Sequence, residues 1–380
     1  MSNLRRPVYF SGAELISTHG MGVENAARAC LQGMVKRQTV LLPNLETDIS
    51  LPYCPMQDAR TPYERLHAVV DAALTQSCIN ADQRRRCGVF LGTSSGDIGL
   101  HEQRYAKECD SSGAEAVAIR HPFHGDMAAR LAHDFSLGGP VYTLSTACSA
   151  SANALLYASW MIREGRIDHA LVLGVELQNK ISLMGFNSMM LIARSGVSRP
   201  FDLTREGIVL GEAIAATVLS AEPNQNTHWQ LEGGANFCDA SHPTNPAPEK
   251  IAETIRLALG DAQCTTNDIT AIKAHGTGTS SNDLGEALGM RQVFGDQPPP
   301  FTSIKPVLGH TLGACGVLET LTIQRCLEQG QLPATVGFQQ VDPNLGIAAL
   351  SANQSLKPGP TLLNFFGFGG NNCSLVMTPC

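Results

Sequence analysis

Charged side chains are scarce in this sequence. Only 16% of its 380 residues are charged, whereas about a quarter is usual in globular domains, and 43% are hydrophobic. This composition excludes a mainly disordered chain and is expected of a protein that buries much of its length. Basic residues are also in deficit, since 27 of them face 34 acidic residues and the net charge is −7. A general nucleic-acid binder is therefore not expected, and any acidic partner must dock on a local basic patch.

Paired cysteines and long apolar runs are missing as well. The twelve cysteines are scattered without a Cys-x-x-Cys pair or a Cys/His cluster at zinc-ligand spacing, so neither disulfides nor a bound metal is expected. Residues 135–162 carry no charge, but polar residues and glycines leave no apolar block of roughly 18 residues for a membrane span. We predict a buried strand, turn and helix there. No apolar run follows the N-terminal arginines as in a secretory signal, which predicts a cytoplasmic protein.

Short apolar runs alternate with helical patterns along the chain. This alternation predicts an α/β fold with a mostly parallel sheet that is covered by helices. A polar segment at residues 222–229 interrupts the pattern and divides the chain into two halves, 1–225 and 226–380. The strand-like runs are residues 88–92, 170–174, 215–220 and 361–365, and the helical patterns are residues 63–76, 150–163, 250–259 and 317–327.

One cysteine lies at a position that suits a nucleophile. Cys148 follows the strand-like residues 141–144 and precedes the helical pattern that begins at Ala150. A helix N-terminus presents unpaired N–H groups and the positive end of its dipole, both of which favour a thiolate, and such N–H groups can hold an oxyanion. Taken alone, a cysteine in an apolar segment is more often structural. The pattern around Cys148 leaves both interpretations open.

Two histidines in glycine-rich turns favour the catalytic interpretation. His275 follows the strand-like residues 269–273, and His310 follows residues 303–306. A lone histidine in such a turn is more often structural, but two of them with a helix-start cysteine fit the Cys/His chemistry of acyl transfer. A phosphate-binding loop is the weaker alternative, because the chain has no Gly-x-x-x-x-Gly-Lys-Ser/Thr motif and the turn after His275 lacks a third glycine.

Five motifs in this order resemble the β-ketoacyl-(acyl carrier protein) synthases of the thiolase superfamily, in the elongating class with one cysteine and two histidines. The resemblance extends over roughly residues 88–375. The motifs are Thr146-Ala-Cys-Ser149; Arg199-Pro-Phe-Asp202 with Glu206-Gly207 and Gly211-Glu212; Lys273-Ala-His-Gly-Thr-Gly-Thr279; Ser303-Ile-Lys305 with Gly309-His310 and Gly313-Ala-Cys-Gly316; and Asn364-Phe-Phe-Gly-Phe-Gly-Gly370.

The resemblance implies two similar α/β halves layered around a central site, usually in a dimer, and catalysis without a metal or cofactor. It implies that Cys148 accepts the growing acyl chain, and that His275 and His310 bind the malonyl thioester and promote its decarboxylation. The other implied roles are Lys305 behind the histidines with Glu319 as its partner; Phe368 as a gate beside the oxyanion hole; Thr277 and Thr279 on the pantetheine arm, followed by Asp283 and Glu286 at the family spacing; and Met184, Phe186 and Met189 along an acyl pocket that reaches the dimer interface.

The chain departs from the family pattern in length. Some tens of residues are missing, mainly before Cys148 and between Phe186 and Arg199, in loops that usually shape the acyl pocket and the dimer contact. Fatty-acid, polyene and polyketide synthesis therefore all remain candidate pathways.

The resemblance also implies partners. They are acyl carrier protein in its acyl- and malonyl-phosphopantetheine forms, docked on basic residues such as Arg60, Arg65 and Arg120, and either a second copy of the chain or a related ketosynthase. One alternative function is a chain-length-factor-like partner subunit of a heterodimeric ketosynthase. Another is a degradative thiolase, which needs a second catalytic cysteine such as Cys315 or Cys373.

Overall fold

A computed structural model describes residues 5–42, 48–112 and 125–380. No helix in these ranges is long and apolar enough to cross a membrane. The helices are α1 Val23–Leu31, α2 Pro62–Ser77, α3 Ala81–Arg84, α4 Ile98–Ser112, α5 Asp126–Asp134, α6 Ala150–Arg163, α7 Lys180–Ser188, α8 Pro248–Asp261, α9 Ser280–Phe294, α10 Lys305–Leu308 and α11 Cys315–Glu328. The strands are β1 Tyr9–Ser17, β2 Gly20–Met21, β3 Gln38–Leu42, β4 Ile49–Cys54, β5 Gly88–Gly92, β6 Val141–Leu144, β7 His169–Glu176, β8 Leu210–Gly211, β9 Ala213–Ser220, β10 Trp229–Cys238, β11 Ala271–Lys273, β12 Phe301–Thr302, β13 Gln331–Leu332, β14 Gln354–Ser355, β15 Thr361–Gly367 and β16 Asn371–Pro379.

Two sets of five strands form one continuous sheet, in which β2 pairs with β1 as an eleventh strand. Their orders are β6-β5-β7-β9-β1 and β12-β11-β15-β16-β10, and the sets meet where Tyr9 of β1 pairs with Gln230 of β10. In each set the first two pairings are parallel and the last two are antiparallel. This equivalence supports a division into two similar halves. The boundary at residue 225, between β9 and β10, stays a prediction.

The expectation of a mostly parallel sheet is wrong, because half of the pairings in each set are antiparallel. The three-residue connection Phe368–Gly370 between β15 and β16 shows the reason. A parallel pair needs a crossover of a dozen or more residues, whereas so short a turn can only join antiparallel neighbours. The apolar runs themselves were located correctly, since β5 occupies the predicted residues 88–92.

Two helices pack between the two sets of strands. Helices α6 and α11 contact strands of both halves, while α2 and α5 cover one outer face and α8 and α9 cover the other. The inner helices approach closely at Gly316, where a methyl group would lie 2.0 Å from the backbone nitrogen of Ala152. Any larger side chain at Gly316 would force α6 and α11 apart, so the glycine fixes the spacing of the layer that carries the site.

Equivalent turns lead into these two inner helices. A short 3₁₀ turn at Ala147–Ser149 precedes α6, and another at Leu312–Ala314 precedes α11. Ala147 and Leu312 adopt left-handed φ values of 49° and 45°, a conformation that costs roughly 1–2 kcal/mol for a residue with a side chain. The two strained turns contact each other, so Cys148 and the segment after His310 lie side by side.

The strand before Cys148 differs from the prediction of a buried strand. β6 lies at the edge of the sheet, and its Val141 and Tyr142 are 39% and 48% exposed. The helix that follows is buried as predicted, with ten of its side chains in the core. An uncharged segment therefore need not be buried along its whole length, because an edge strand has a neighbour on one side only.

Candidate active site

Cys148, His275 and His310 line one cavity. Its volume is about 480 Å³, part of which is open to solvent. The three residues come from the turn before α6, the turn after β11 and the turn after α10, so the fold unites segments that are far apart in the sequence. The other lining residues are Phe186, Leu191, Ile208, His242, Pro243, Thr244, Pro246, Thr277, Thr279, Asn282, Phe366, Gly367, Phe368 and Gly370.

Cys148 is a buried thiol at the base of this cavity. It is 4% exposed and packs in an apolar cluster that includes Leu183, Ile208 and Leu312. Burial raises the pKa of Cys148 to about 12, although the Lys305 ammonium and a hydrogen bond from the Phe368 backbone act to lower it. The expectation that the helix start would favour a thiolate is wrong for this buried site, since desolvation outweighs the effects of Lys305 and the Phe368 N–H. The raised pKa favours the thiol form of Cys148 in the free protein.

His310 is a neutral hydrogen-bond donor. Burial, reinforced by the charge of Lys305, lowers its pKa to about 3. The backbone N–H of Leu312 donates to His310 Nδ1 over 3.3 Å, and the Cys315 sulfur lies 3.3 Å from the same nitrogen. Because Nδ1 accepts, the ring proton lies on Nε2 and can be donated to a substrate oxygen.

His275 is the second neutral imidazole. Burial lowers its pKa well below the usual value, and Lys305, His310 and Lys273 add to this effect. Lys305 Nζ lies 3.4 Å from His275 Nδ1 and donates to the His275 carbonyl over 2.6 Å, which places the ring proton on Nε2 as well. The two rings are nearly perpendicular, with centroids 5.5 Å apart. Two N–H donors that share a cavity can hold the oxygen of an enolate.

Behind the histidines lies an ion cluster that the sequence revealed only in part. Lys305 Nζ is 2.8 Å from Glu319 Oε1, which agrees with the implied pair, but Lys273 Nζ is also 2.8 Å from Glu319 Oε2. All three side chains are at most 2% exposed. Burial disfavours the charged form of Lys305, yet Glu319, with smaller contributions from Cys315 and Glu286, outweighs it and raises the pKa of Lys305. The sequence did contain a sign of this second ion pair. Lys273 is a charged residue within the apolar stretch 269–274, and a buried charge needs a partner of opposite charge.

Two buried carboxylates hold the backbone of the His275 turn. Glu286 accepts the N–H groups of His275 and Gly276 over 2.7 and 2.8 Å. Asp283 accepts those of Thr277 and Gly278 over 3.1 and 3.2 Å. The hydroxyls of Thr277 and Thr279 lie 2.9 Å apart beside the cavity. The sequence offered only the spacing of these carboxylates, and their role in fixing the turn required the structure.

We predict that Glu286 makes stability fall as the pH rises from 4.5 to 7. Burial raises its pKa from 4.5 to about 7, against the two N–H groups that lower it. The unfolded chain then loses its proton first, so the stabilising contribution is complete below pH 4.5 and is lost as the pH rises through 7. Glu286→Gln should flatten this decline in the free energy of unfolding, measured by chemical denaturation across that range.

Glu253→Gln is the matched control for this prediction, because Glu253 is a glutamate on α8 whose side chain is 44% exposed. Its free energy of unfolding should fall with pH as steeply as that of the unchanged protein. Glu286→Gln should also be less stable throughout by about 1–3 kcal/mol, since one amide oxygen replaces two acceptors. An identical slope in all three proteins would contradict the assignment.

Two stacked aromatic side chains line part of the cavity. The rings of Phe186 and Phe368 stack with centroids 5.5 Å apart, and the N–H of Gly369 donates to the Pro243 carbonyl over 2.8 Å. Met184 packs against the cluster around Cys148 but does not line the cavity, and Met189 is 41% exposed. Of the three residues expected along the acyl pocket, Phe186 alone reaches the cavity.

The basic residues expected to dock a carrier protein are partly neutralised. Arg60 and Arg65 both pair with Asp58, over 2.5 and 3.8 Å. These ion pairs reduce the positive potential that the two arginines present to a partner. Arg120 lies outside the described residues.

Family models match most of the chain. The model of the beta-ketoacyl synthase N-terminal domain matches residues 61–224, and that of the beta-ketoacyl synthase C-terminal domain matches residues 230–339. The chain belongs to the beta-ketoacyl synthase family. This confirms the family resemblance and the acyltransferase class that were predicted from the sequence.

Individual beta-ketoacyl synthases are similar over most of their length. The tetracenomycin polyketide synthase ketoacyl synthase alpha subunit of Streptomyces glaucescens is 29% identical, with 82% of this chain and 78% of that protein covered. The 3-oxoacyl-[acyl-carrier-protein] synthase 2 of Synechocystis sp. is 28% identical, with 81% and 78% covered. The solved ishigamide ketosynthase/chain length factor has a TM-score of 0.88 at 27% identity and covers 98% of this chain and 99% of its own.

These likenesses confirm the predicted α/β, thiolase-like fold. The cysteines that a degradative thiolase would use as a second catalytic group do not line the cavity. Cys315 contacts His310 from behind, and Cys373 is buried in β16. Burial raises the pKa of both thiols far above the usual value. Neither cysteine is placed to act on a substrate beside Cys148.

Proposed function

We propose that this beta-ketoacyl synthase extends a carrier-bound acyl chain by two carbons, with Cys148 as nucleophile and His275 and His310 as oxyanion donors. The observation that carries the proposal is the single cavity that one thiol and two neutral imidazoles share. A carrier protein is the expected source of both substrates, since the Synechocystis relative is named for one. Fatty-acid, polyene and polyketide pathways all supply such substrates, and a cytoplasmic location is part of the proposal.

The first step is acyl transfer to Cys148. The sulfur attacks the thioester carbonyl of the acyl carrier, a new carbon–sulfur bond forms, and the bond to the pantetheine sulfur breaks. The thiol proton passes to the leaving pantetheine thiolate, so no net proton is released. The Phe368 N–H, which already reaches the Cys148 sulfur, is suited to hold the carbonyl oxygen as its charge develops.

The second step is decarboxylative condensation. Malonyl thioester binds with its carbonyl oxygen between the Nε2–H groups of His275 and His310, and loss of carbon dioxide leaves an enolate there. The enolate carbon attacks the acyl carbonyl on Cys148, and the bond from that carbonyl carbon to the Cys148 sulfur breaks. The thiolate that leaves takes up one proton from water, which balances the negative charge of the malonyl carboxylate lost as carbon dioxide. Neutral imidazoles suit this task, because they donate hydrogen bonds without protonating the enolate carbon.

The polar part of the cavity lining suits a pantetheine arm. Thr277, Thr279, Asn282 and His242 are among the residues that line the cavity. His242 Nδ1 accepts the N–H groups of Thr244 and Asn245 over 3.1 and 3.0 Å, so its Nε2 carries a proton for donation. Hydroxyl, amide and imidazole groups match the amides of an extended pantetheine chain.

Mass spectrometry tests the first step and the acyl length together. The purified protein is incubated with acyl-carrier proteins of several chain lengths, and the mass added to the protein is measured. An adduct of one acyl group with a defined length preference is expected. The absence of any adduct with all lengths would reject the proposal.

The alternative function is a partner subunit of a heterodimeric ketosynthase. One observation in its favour is the similar solved structure named as a ketosynthase/chain length factor. Another is the edge strand β6, whose exposed Val141 and Tyr142 are suited to pair with a second chain. A complete set of Cys148, His275 and His310 favours the catalytic function.

We predict that the purified chain alone, as a homodimer, elongates an acyl primer with malonyl-carrier protein. The measurement is product formation by the separated dimer fraction. Elongation only after a related ketosynthase is added would favour the partner-subunit function. A monomer that turns over at the same rate would contradict the dimer contact through β6.

A further inference from the structure

Lys273 is a buried cation that the mechanism above does not use. Its side chain is 0% exposed and its Nζ lies 2.8 Å from Glu319 Oε2 and 2.5 Å from the Asn364 carbonyl. The ammonium also lies 3.4 Å from the centre of the Phe365 ring. An ammonium removed from water at this depth is costly to the fold unless its partners hold it closely.

One carboxylate therefore serves two ammonium groups. Glu319 Oε2 lies 2.8 Å from Lys273 Nζ, and Glu319 Oε1 lies 2.8 Å from Lys305 Nζ. The two lysines lower the pKa of Glu319 against the effect of burial, so it is ionised. With all three groups charged, the cluster carries a net charge of +1 at the back of the cavity.

This net charge lies directly behind the imidazole pair. Lys273 ends β11, two residues before His275, and Lys305 donates to the His275 carbonyl over 2.6 Å. Both lysines lower the pKa of His275 and of His310. The same field that keeps the imidazoles neutral favours negative charge on an oxygen in front of them.

We propose that Lys273 is a positioning residue for decarboxylation: by taking one oxygen of Glu319 it leaves the cluster with a net positive charge that stabilises the enolate held by His275 and His310. This inference rests on the proposed function. Lys273 touches no substrate and acts only through Glu319, Lys305 and the two histidines.

The protonation of Lys273 gives the inference a measurable signature. Burial lowers its pKa to about 8, although Glu319 opposes the shift. The ammonium is present below pH 8 and is lost above it, so the release of carbon dioxide should fall as the pH rises through 8. The other titratable groups that face it are Glu319 and Cys315 on α11, Lys305 on α10, Glu286 on α9, Cys373 on β16, and His275 and His310.

These neighbours do not produce the same signature. Both cysteines stay protonated, because burial raises their pKa far above 8, and the histidines stay neutral. Glu286, with a pKa of about 7, gains a negative charge before Lys273 titrates, which favours the ammonium. Because the charge on Glu286 also disfavours an enolate, the fall is assigned to Lys273 only where the neutral Lys273 variants remove it.

The experiment compares the unchanged protein with Lys273→Met, Lys273→Gln and Lys273→Arg. The rate of carbon dioxide release from malonyl-carrier protein is measured from pH 6 to 9.5, and Lys250→Met, at a lysine 41% exposed on α8, is the matched control. We expect the unchanged protein and the control to lose about tenfold in rate through pH 8. The Met and Gln variants should be about tenfold slower at pH 7, with no further fall. The Arg variant should keep its rate beyond pH 9, because arginine does not lose its proton.

Two results would overturn the inference. Neutral variants that keep the rate at pH 7 and the fall through pH 8 would show that Lys273 is not the titrating group. An Arg variant as slow as the Met variant would show that packing, not charge, is what Lys273 supplies. If neither neutral variant folds, the test is the pH dependence of carbon dioxide release by Lys273→Arg compared with the unchanged protein. An Arg variant that loses its rate through pH 8 as the unchanged protein does would then contradict the inference. An unchanged protein that releases no carbon dioxide at any pH would instead reject the proposed function.

Discussion

Replacing Cys148 with alanine is expected to abolish acyl transfer from a carrier-bound thioester. Removal of an enzyme nucleophile lowers the rate on the order of 10⁶-fold, and no other cysteine among the described residues lines the cavity. The measurement is peptide mapping after incubation with acyl-carrier protein, which should find the acyl group on Cys148 of the unchanged protein and no acyl group on the variant.

An exposed cysteine provides the control for this result. Cys238 is exposed at the end of β10, and Cys238→Ala should be acylated like the unchanged protein. The Cys148 variant should still release carbon dioxide from malonyl-carrier protein, because the imidazole pair is intact. Acylation that survives Cys148→Ala would show that the nucleophile lies elsewhere.

The complementary result is expected for the histidines. Changing either His275 or His310 to alanine removes one donor to the enolate oxygen, which typically costs ~10²–10³ in rate. Carbon dioxide release should fall by that factor, while acylation of Cys148 stays within a few-fold, since neither ring is required as a base for thioester exchange. Separate assays of the two half-reactions measure both effects.

The pH dependence of the histidine-catalysed step is a second readout. His310 has a pKa of about 3, so it stays neutral as the pH falls from 8 to 5, and its protonation should not slow decarboxylation in that range. His133→Ala, at an exposed histidine on α5, is the control and should behave as the unchanged protein. Loss of acylation with normal carbon dioxide release would reverse the assigned roles.

Short-range features of the site could be predicted from the sequence. The helix at Ala150–Arg163 was located to the residue, because its apolar periodicity begins directly after a small-residue turn. The same turn identified Cys148, and glycine-rich turns identified His275 and His310. These signals are local, since a turn and the side chain it presents are encoded within a few residues.

Features that depend on distant contacts could not be predicted. The state of Cys148 follows from desolvation by side chains such as Leu183 and Leu312, which outweighs the helix start. The exposure of β6 follows from its place at the sheet edge. The sequence shows Lys273 only as a charged residue in a short strand. Its ion pair with Glu319, which also pairs with Lys305, is formed between segments that are distant in the sequence.

Intact-mass spectrometry of one turnover tests the central claim most directly. The purified protein is acylated with a carrier-bound primer, separated from the carrier, and mixed with malonyl-carrier protein. If Cys148 and the imidazole pair act as proposed, the acyl adduct disappears from the protein while one 3-oxoacyl-carrier protein and one carbon dioxide appear per adduct lost. An adduct that persists while carbon dioxide is released, or that is lost only to water, would contradict condensation at this site.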